Sequence, residues 1–137
     1  MEVTYEGIIS DLKKRIFKPL YFLAGEEPYY IDLITDFIEK NILPENERSF
    51  NQLILYSEDT TAKDIIEVAK RYPMMASHQV IIVKEAQSLK KIEELAAYVE
   101  KPMPSTILVI NYKYKVLDKR TSLALALKKH GVYFESG

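Results

Sequence analysis

Three short apolar runs constrain this chain more than any other feature: Leu20-Tyr21-Phe22-Leu23-Ala24, Val80-Ile81-Ile82-Val83 and Thr106-Ile107-Leu108-Val109-Ile110. They are apolar at consecutive rather than alternate positions, and the second is β-branched throughout. A strand of that pattern is covered on both faces. Stretches of helical spacing lie around the runs. Tyr5, Ile8, Ile9, Leu12 and Ile16 follow a capping Thr4, and Tyr30, Leu33, Ile34, Phe37 and Ile38 follow Pro28, a good first helical residue. Ala62, Ile65, Ile66 and Ala69 mark a third helix ended by Pro73, and Ser88 caps a fourth carrying Leu89, Ile92, Leu95 and Val99. Asp118 is the expected cap of a fifth helix with Leu123, Ala126 and Leu127, and Gly131 its left-handed C′ residue. Two weaker strands complete the pattern. Residues 49–56 carry polar Asn51 and Gln52 and so suit a sheet edge, and Val132-Tyr133-Phe134 is the last.

Strands that alternate with helices need right-handed crossovers, which put helices on both faces. The expected fold is therefore α/β, a three-layer α-β-α sandwich around a mostly parallel sheet of five strands. The chain's 137 residues suit one domain, since domains run to roughly 100–200 residues. With 47% apolar residues it can build a core without staples, and it has no cysteine for a disulfide, a thiolate metal site or a thiol nucleophile. No apolar run approaches the ~20 residues of a membrane span, and the N-terminus lacks a basic stretch leading into an apolar core. A cytoplasmic protein is expected. The chain ends three residues after its last apolar strand residue, Phe134, as a domain cut from a longer protein would.

The first strand-to-helix turn is where such folds usually hold a ligand. Here it reads Gly25-Glu26-Glu27-Pro28-Tyr29-Tyr30-Ile31-Asp32. A phosphate loop of the form G-x-x-x-x-G-K-[ST] would need glycine at Tyr30, lysine at Ile31 and a hydroxyl at Asp32. All three fail, and two glutamates would repel a triphosphate. After the third strand, Lys84 stands where a magnesium-binding aspartate would be wanted, and Glu85 alone is weak. His78 and His130 have no partner at metal-ligand spacing, and His130 suits a helix C-terminus for dipole reasons. No nucleophile elbow exists. The expectation is no catalytic residue, no metal and no cofactor. A receiver domain would need an acidic cluster at the strand ends, which is lacking.

Two surface candidates remain. Lys113, Lys115, Lys119 and Arg120, interleaved with Tyr112 and Tyr114, could contact nucleic acid. The net charge of −1 favours a solvated face instead. The connector Tyr72-Pro73-Met74-Met75-Ala76-Ser77-His78-Gln79 puts two methionines side by side. Adjacent residues of a helical turn point about 100° apart, so one core cannot easily take both. Pro73 could open a short helical turn presenting them, and methionine suits adaptable binding surfaces. Spacing alone leaves open whether they fold back under the connector.

At this point the chain resembles the N-terminal domain of the delta subunit of bacterial DNA polymerase III. The likeness runs over residues 18–135. It is carried by Pro19-Leu-Tyr-Phe-Leu-Ala-Gly25-Glu26-Glu27, by Tyr72 through Ala86, by Pro102-Met103-Pro104-Ser105-Thr106 and by Val116-Leu117-Asp118-Lys119-Arg120. The resemblance implies an AAA+-like module with a degenerate phosphate loop, non-catalytic by itself, in a holoenzyme that is a DNA-directed DNA polymerase. It implies a clamp-loader subunit that binds and opens the sliding clamp, the beta subunit, during DNA replication. An exposed apolar pair before the third strand would plug a pocket on the clamp. By position that pair is Met74 and Met75, flanked by Pro73, Ala76 and Ser77; the family often has an aromatic at the second place. Implied partners are the gamma/tau and delta prime subunits and primed DNA within the complex. Residues 1–137 would be the first domain, with lid and collar domains beyond it. The rival readings are a P-loop-like ATPase and a DNA-binding domain.

Overall fold

The computed structural model describes residues 3–137. The elements are α1 (Tyr5–Lys13), β1 (Leu20–Gly25), α2 (Pro28–Asn41), α3 (Glu45–Asn51), β2 (Gln52–Tyr56), α4 (Ala62–Ala69), β3 (Gln79–Lys84), α5 (Ala96–Glu100), β4 (Thr106–Lys113), α6 (Ser122–His130) and β5 (Val132–Ser136). All strand pairings are parallel, and the order across the sheet is β2-β3-β4-β1-β5. The three runs that announced the fold are its central strands, β3, β4 and β1, buried almost throughout. The strand containing Gln52 is at an edge, as its polarity implied.

The sheet divides two cores. On one face Tyr21, Leu23, Val80, Ile82, Ile107 and Val109 meet Ile8 and Leu12 of α1 and Ile31, Ile34 and Ile38 of α2. On the other, Phe22, Ile81, Val83, Leu108 and Ile110 meet Ile65 of α4, Val99 of α5 and Leu123 and Leu127 of α6. Successive strand residues point to opposite faces, so consecutive apolar residues are what this three-layer arrangement demands. Among the described residues, no helix is long and apolar enough to cross a membrane.

Four local expectations give way. Residues 49–51, expected to start β2, instead close a helix over residues 45–51. Pro44 precedes it, and Glu45 and Glu47 occupy its first turn, where carboxylates favour the dipole. The helix foreseen after Ser88 is broken. Two 3₁₀ turns, Ala86–Ser88 and Ile92–Leu95, precede α5, because Lys91 is left-handed at φ 56°. The cap of α6 is Thr121, whose hydroxyl accepts from the Ala124 amide. Asp118 instead accepts from the Arg120 amide and guanidinium in the preceding turn. Gly131 is extended, at φ −143°; a Cβ there would stand 2.8 Å from Leu20 Cβ, so close packing, not handedness, accounts for the glycine.

Candidate functional site

In a parallel sheet all strands begin at one end, and the methionine connector enters there, between α4 and β3. Its root is tied down by polar groups inside the protein. The Gln79 side-chain Nε2 donates to Val68 O (3.2 Å), Arg71 O (2.8 Å) and Thr106 Oγ1 (2.9 Å). Thr106, fully buried, donates in turn to Ala69 O at 2.7 Å. The last carbonyl of α4, that of Ala69, which has no partner within the helix, is thereby satisfied. Replacing Thr106 by valine removes a buried donor and acceptor at once. Urea denaturation is expected to show a loss of about 1–3 kcal/mol, read as a lower midpoint at unchanged slope.

Beyond this root the chain turns outward. No helical turn follows Pro73; residues 74–77 are a series of bends. Met74 is 62% exposed, and Met75 is fully exposed at 101%. Met75 is also left-handed, at φ 56°. That conformation costs a non-glycine residue about 1–2 kcal/mol, and strain of this kind collects at functional sites. The methionines therefore do not fold back under the connector. Pro73 and Ala76 are half-buried and Ser77 is exposed, so the five residues form one projecting loop. Tyr72, 80% exposed, enters it.

A residue distant in sequence holds the loop. Asn51, the last residue of α3, is only 4% exposed. Its Oδ1 accepts from the Met74 amide at 2.6 Å, and its Nδ2 donates to Met74 O at 2.9 Å. Its neighbour Phe50 is 71% exposed, so a further apolar side chain faces solvent beside the residue that grips the loop. The sequence marks Asn51 only as a polar residue of an expected edge strand and gives Phe50 no role. The signal for Asn51 was there, a polar residue interrupting a strand-like run, but nothing local names its partner.

His78 closes the loop. Its ring packs edge-on to Phe17, with centroids 5.5 Å apart, and its Nδ1 lies 3.1 Å from Ser77 Oγ. Burial pushes its pKa below the usual histidine value, and the Arg15 charge adds to this. The unfolded chain therefore binds more protons between the folded pKa and ~6.5, and stability falls as pH drops through that window. NMR titration of the His78 ring should give a midpoint below ~6.5, the unperturbed value.

The opposite end of the sheet carries the degenerate phosphate loop. Gly25 has φ +121°. Its amide donates to Lys115 O at 2.9 Å, and its carbonyl accepts from the Tyr114 amide at 2.8 Å. Ser136 Oγ donates to Glu27 O at 2.6 Å and to Ala24 O at 3.2 Å. The Gly25 amide is thus bonded within the protein, and the Ala24, Gly25 and Glu27 carbonyls, acceptors that would repel a phosphate, are bonded there too. Glu27 caps α2 by accepting from the Tyr29 amide at 3.0 Å, setting a carboxylate at the helix N-terminus.

The basic candidates lie at this end too. Lys113 is half-buried, and its ammonium is 2.8 Å from Asp32 Oδ1 and 4.0 Å from Glu85 Oε2. Burial pulls its pKa down, but the Asp32 hydrogen bond and the two carboxylate charges outweigh this and leave it raised. Lys115, Lys119 and Arg120 are exposed. Arg120 is paired within its own turn to Asp118 Oδ2 at 2.8 Å. The structure therefore separates the two candidate sets, methionines at the amino ends of the strands and basic residues at the carboxyl ends.

Residues 21–136 match the family model described as DNA polymerase III, delta subunit. The chain belongs to the DNA polymerase III delta subunit family. The DNA polymerase III subunit delta of Bacillus subtilis is 30% identical over an alignment of 137 residues, taking in 93% of this chain and 40% of the relative. The chain thus spans well under half the length of the curated relative it matches. Among solved structures, the B. subtilis DNA clamp loader delta protein superposes with a TM-score of 0.85 at 27% identity, over 97% of this chain and 42% of the other. A DNA polymerase III gamma subunit-related protein from Thermotoga maritima shares the fold, with a TM-score of 0.59 at 12% identity, over 98% of this chain and 46% of that one. The delta family and the α/β sandwich expected from sequence are both upheld.

Proposed function

We propose that this chain is the clamp-gripping domain of a clamp-loader delta subunit, acting in DNA replication without catalysing a reaction itself. Met74 and Met75 enter an apolar pocket on the sliding clamp, and Pro73, Ala76 and Ser77 shape the loop that carries them. The observation that carries the reading is the exposure of both methionines on a strained loop whose Met74 amide and carbonyl are nonetheless both bonded to Asn51. Family membership supports the choice of partner.

Gripping becomes ring opening only if the loop binds the open clamp more tightly than the closed one, since a ligand shifts an equilibrium by its differential affinity alone. ATP chemistry belongs in this reading to partner subunits of the gamma/tau and delta prime type. The internal bonding of Gly25 and the carboxylate of Glu27 at the α2 N-terminus favour it over a P-loop ATPase. Contact with primed DNA is a secondary part of the proposal and falls to Lys115 and Lys119, because Lys113 and Arg120 are already ion-paired.

The test is clamp binding by a chain in which Met74 and Met75 are both serine. Loss of binding with an unchanged fold supports the reading, and retained affinity defeats it.

A further inference from the structure

We propose that Asn51 is the positioning residue of the clamp-gripping loop, holding the methionines in the outward arrangement before the partner arrives. The inference rests on the clamp-binding reading and goes beyond it by assigning a residue that makes no use of exposed surface. Asn51 is almost entirely buried, and its carboxamide takes both backbone groups of Met74, the amide at 2.6 Å and the carbonyl at 2.9 Å. In this it copies a strand neighbour, offering one donor and one acceptor at the spacing a peptide would. Its Nδ2 also reaches Glu47 O, 3.3 Å away within its own helix, so the carboxamide is fixed at its own end as well. The residue it fixes directly precedes Met75, which is left-handed and fully exposed.

The other ties on this connector act elsewhere. Gln79 and Thr106 bind the carbonyls of residues 68, 69 and 71, at the root of the loop. Asn51 alone of these three grips the apex. A loop released at its apex keeps its root and its two methionines but samples many arrangements. Its apparent affinity then falls with the fraction of time spent in the competent one. Preorganisation of this kind supplies affinity by removing the ordering cost of binding.

The experiment compares three variants of the full chain against purified sliding clamp. Asn51→Ala should accelerate hydrogen exchange at the Met74 amide and raise Kd about tenfold, as expected when the competent fraction falls to about a tenth. Asn51→Asp keeps an acceptor for the Met74 amide and loses the donor to its carbonyl, so it should lie between Asn51→Ala and the parent. Ile65→Val trims the core under α4 and controls for stability. It should lower the melting temperature yet leave Met74 exchange and Kd unchanged. Parental affinity in Asn51→Ala, or equal weakening in Ile65→Val, overturns the assignment. If Asn51→Ala does not fold, Asn51→Asp decides, and parental affinity there overturns it. The methionine pair separates the two ideas. If its serine variant loses binding while Asn51→Ala keeps it, only the positioning role is lost. If the serine variant keeps binding, the clamp reading itself has failed.

Discussion

Changing Met74 and Met75 together to serine is expected to weaken sliding-clamp binding by between about a hundredfold and ten-thousandfold. Covering one large apolar side chain is worth about 1.5–3 kcal/mol, so the pair supplies about 3–6 kcal/mol when both enter a pocket. Every 1.4 kcal/mol is tenfold in Kd. The same change should hardly alter the fold, because both side chains already face solvent. Substitutions at such surface positions usually stay within ±0.5 kcal/mol of stability. The contrast between a large effect on binding and a small one on melting is what identifies a docking residue. Surface plasmon resonance with immobilised clamp, read beside a thermal melt, gives both quantities. A drop in melting temperature of more than a few degrees would mean that the methionines also serve the core. Single replacements should not sum to the double, since neighbours in one pocket share their surroundings.

The layered fold was legible because burial on both faces leaves a mark that survives in one dimension. Ile81 and Val83 point to one layer and Ile82 to the other, and all three must be apolar. Strand order was not legible. Nothing in the residues of β1 states that β4 and β5 flank it, since a buried strand of valine, leucine and isoleucine fits beside any other. Short helices were the weakest point. The seven residues of α3 are too few to display a period, and Phe50 beside Leu53 and Leu55 imitated a strand. The end charges were the usable signal there, Glu45 and Glu47 ahead of Arg48.

Site residues followed a similar division. Adjacent methionines in a connector stood out because one core cannot readily take both. Their exposure needed coordinates, and so did the strain at Met75. The Asn51 contact was out of reach in principle, because it depends on a partner brought from another element by the β2–β3 pairing. Lys113 gave the opposite lesson. In sequence it reads as one of several surface cations, and only folding reveals that Asp32 and Glu85 hold its charge.

Gly25→Ala is expected to destabilise the chain by at least about 4 kcal/mol, placing it among the most damaging single changes available. An added Cβ would lie 2.1 Å from Ser136 O and 2.6 Å from both Ser136 N and Oγ. The backbone at φ +121° is strained for any residue with a side chain, a further cost of about 1–3 kcal/mol. Relief would require β5 to leave β1, or Gly25 to give up its bonds with Tyr114 and Lys115. Urea denaturation measures the loss. A change under about 1 kcal/mol would show that the Ser136 contact yields easily, against the usual cost of forcing atoms into packed structure. Clamp binding by the folded fraction should remain near the parental value, because the methionine loop stands at the other end of the sheet, roughly 20 Å away along a six-residue strand. That pairing of results would assign Gly25 to the packing of a sheet edge. A glycine which in a phosphate loop would admit an anion here admits the backbone of β5, and the contact that leaves no room for a side chain is the one that packs β5 against β1.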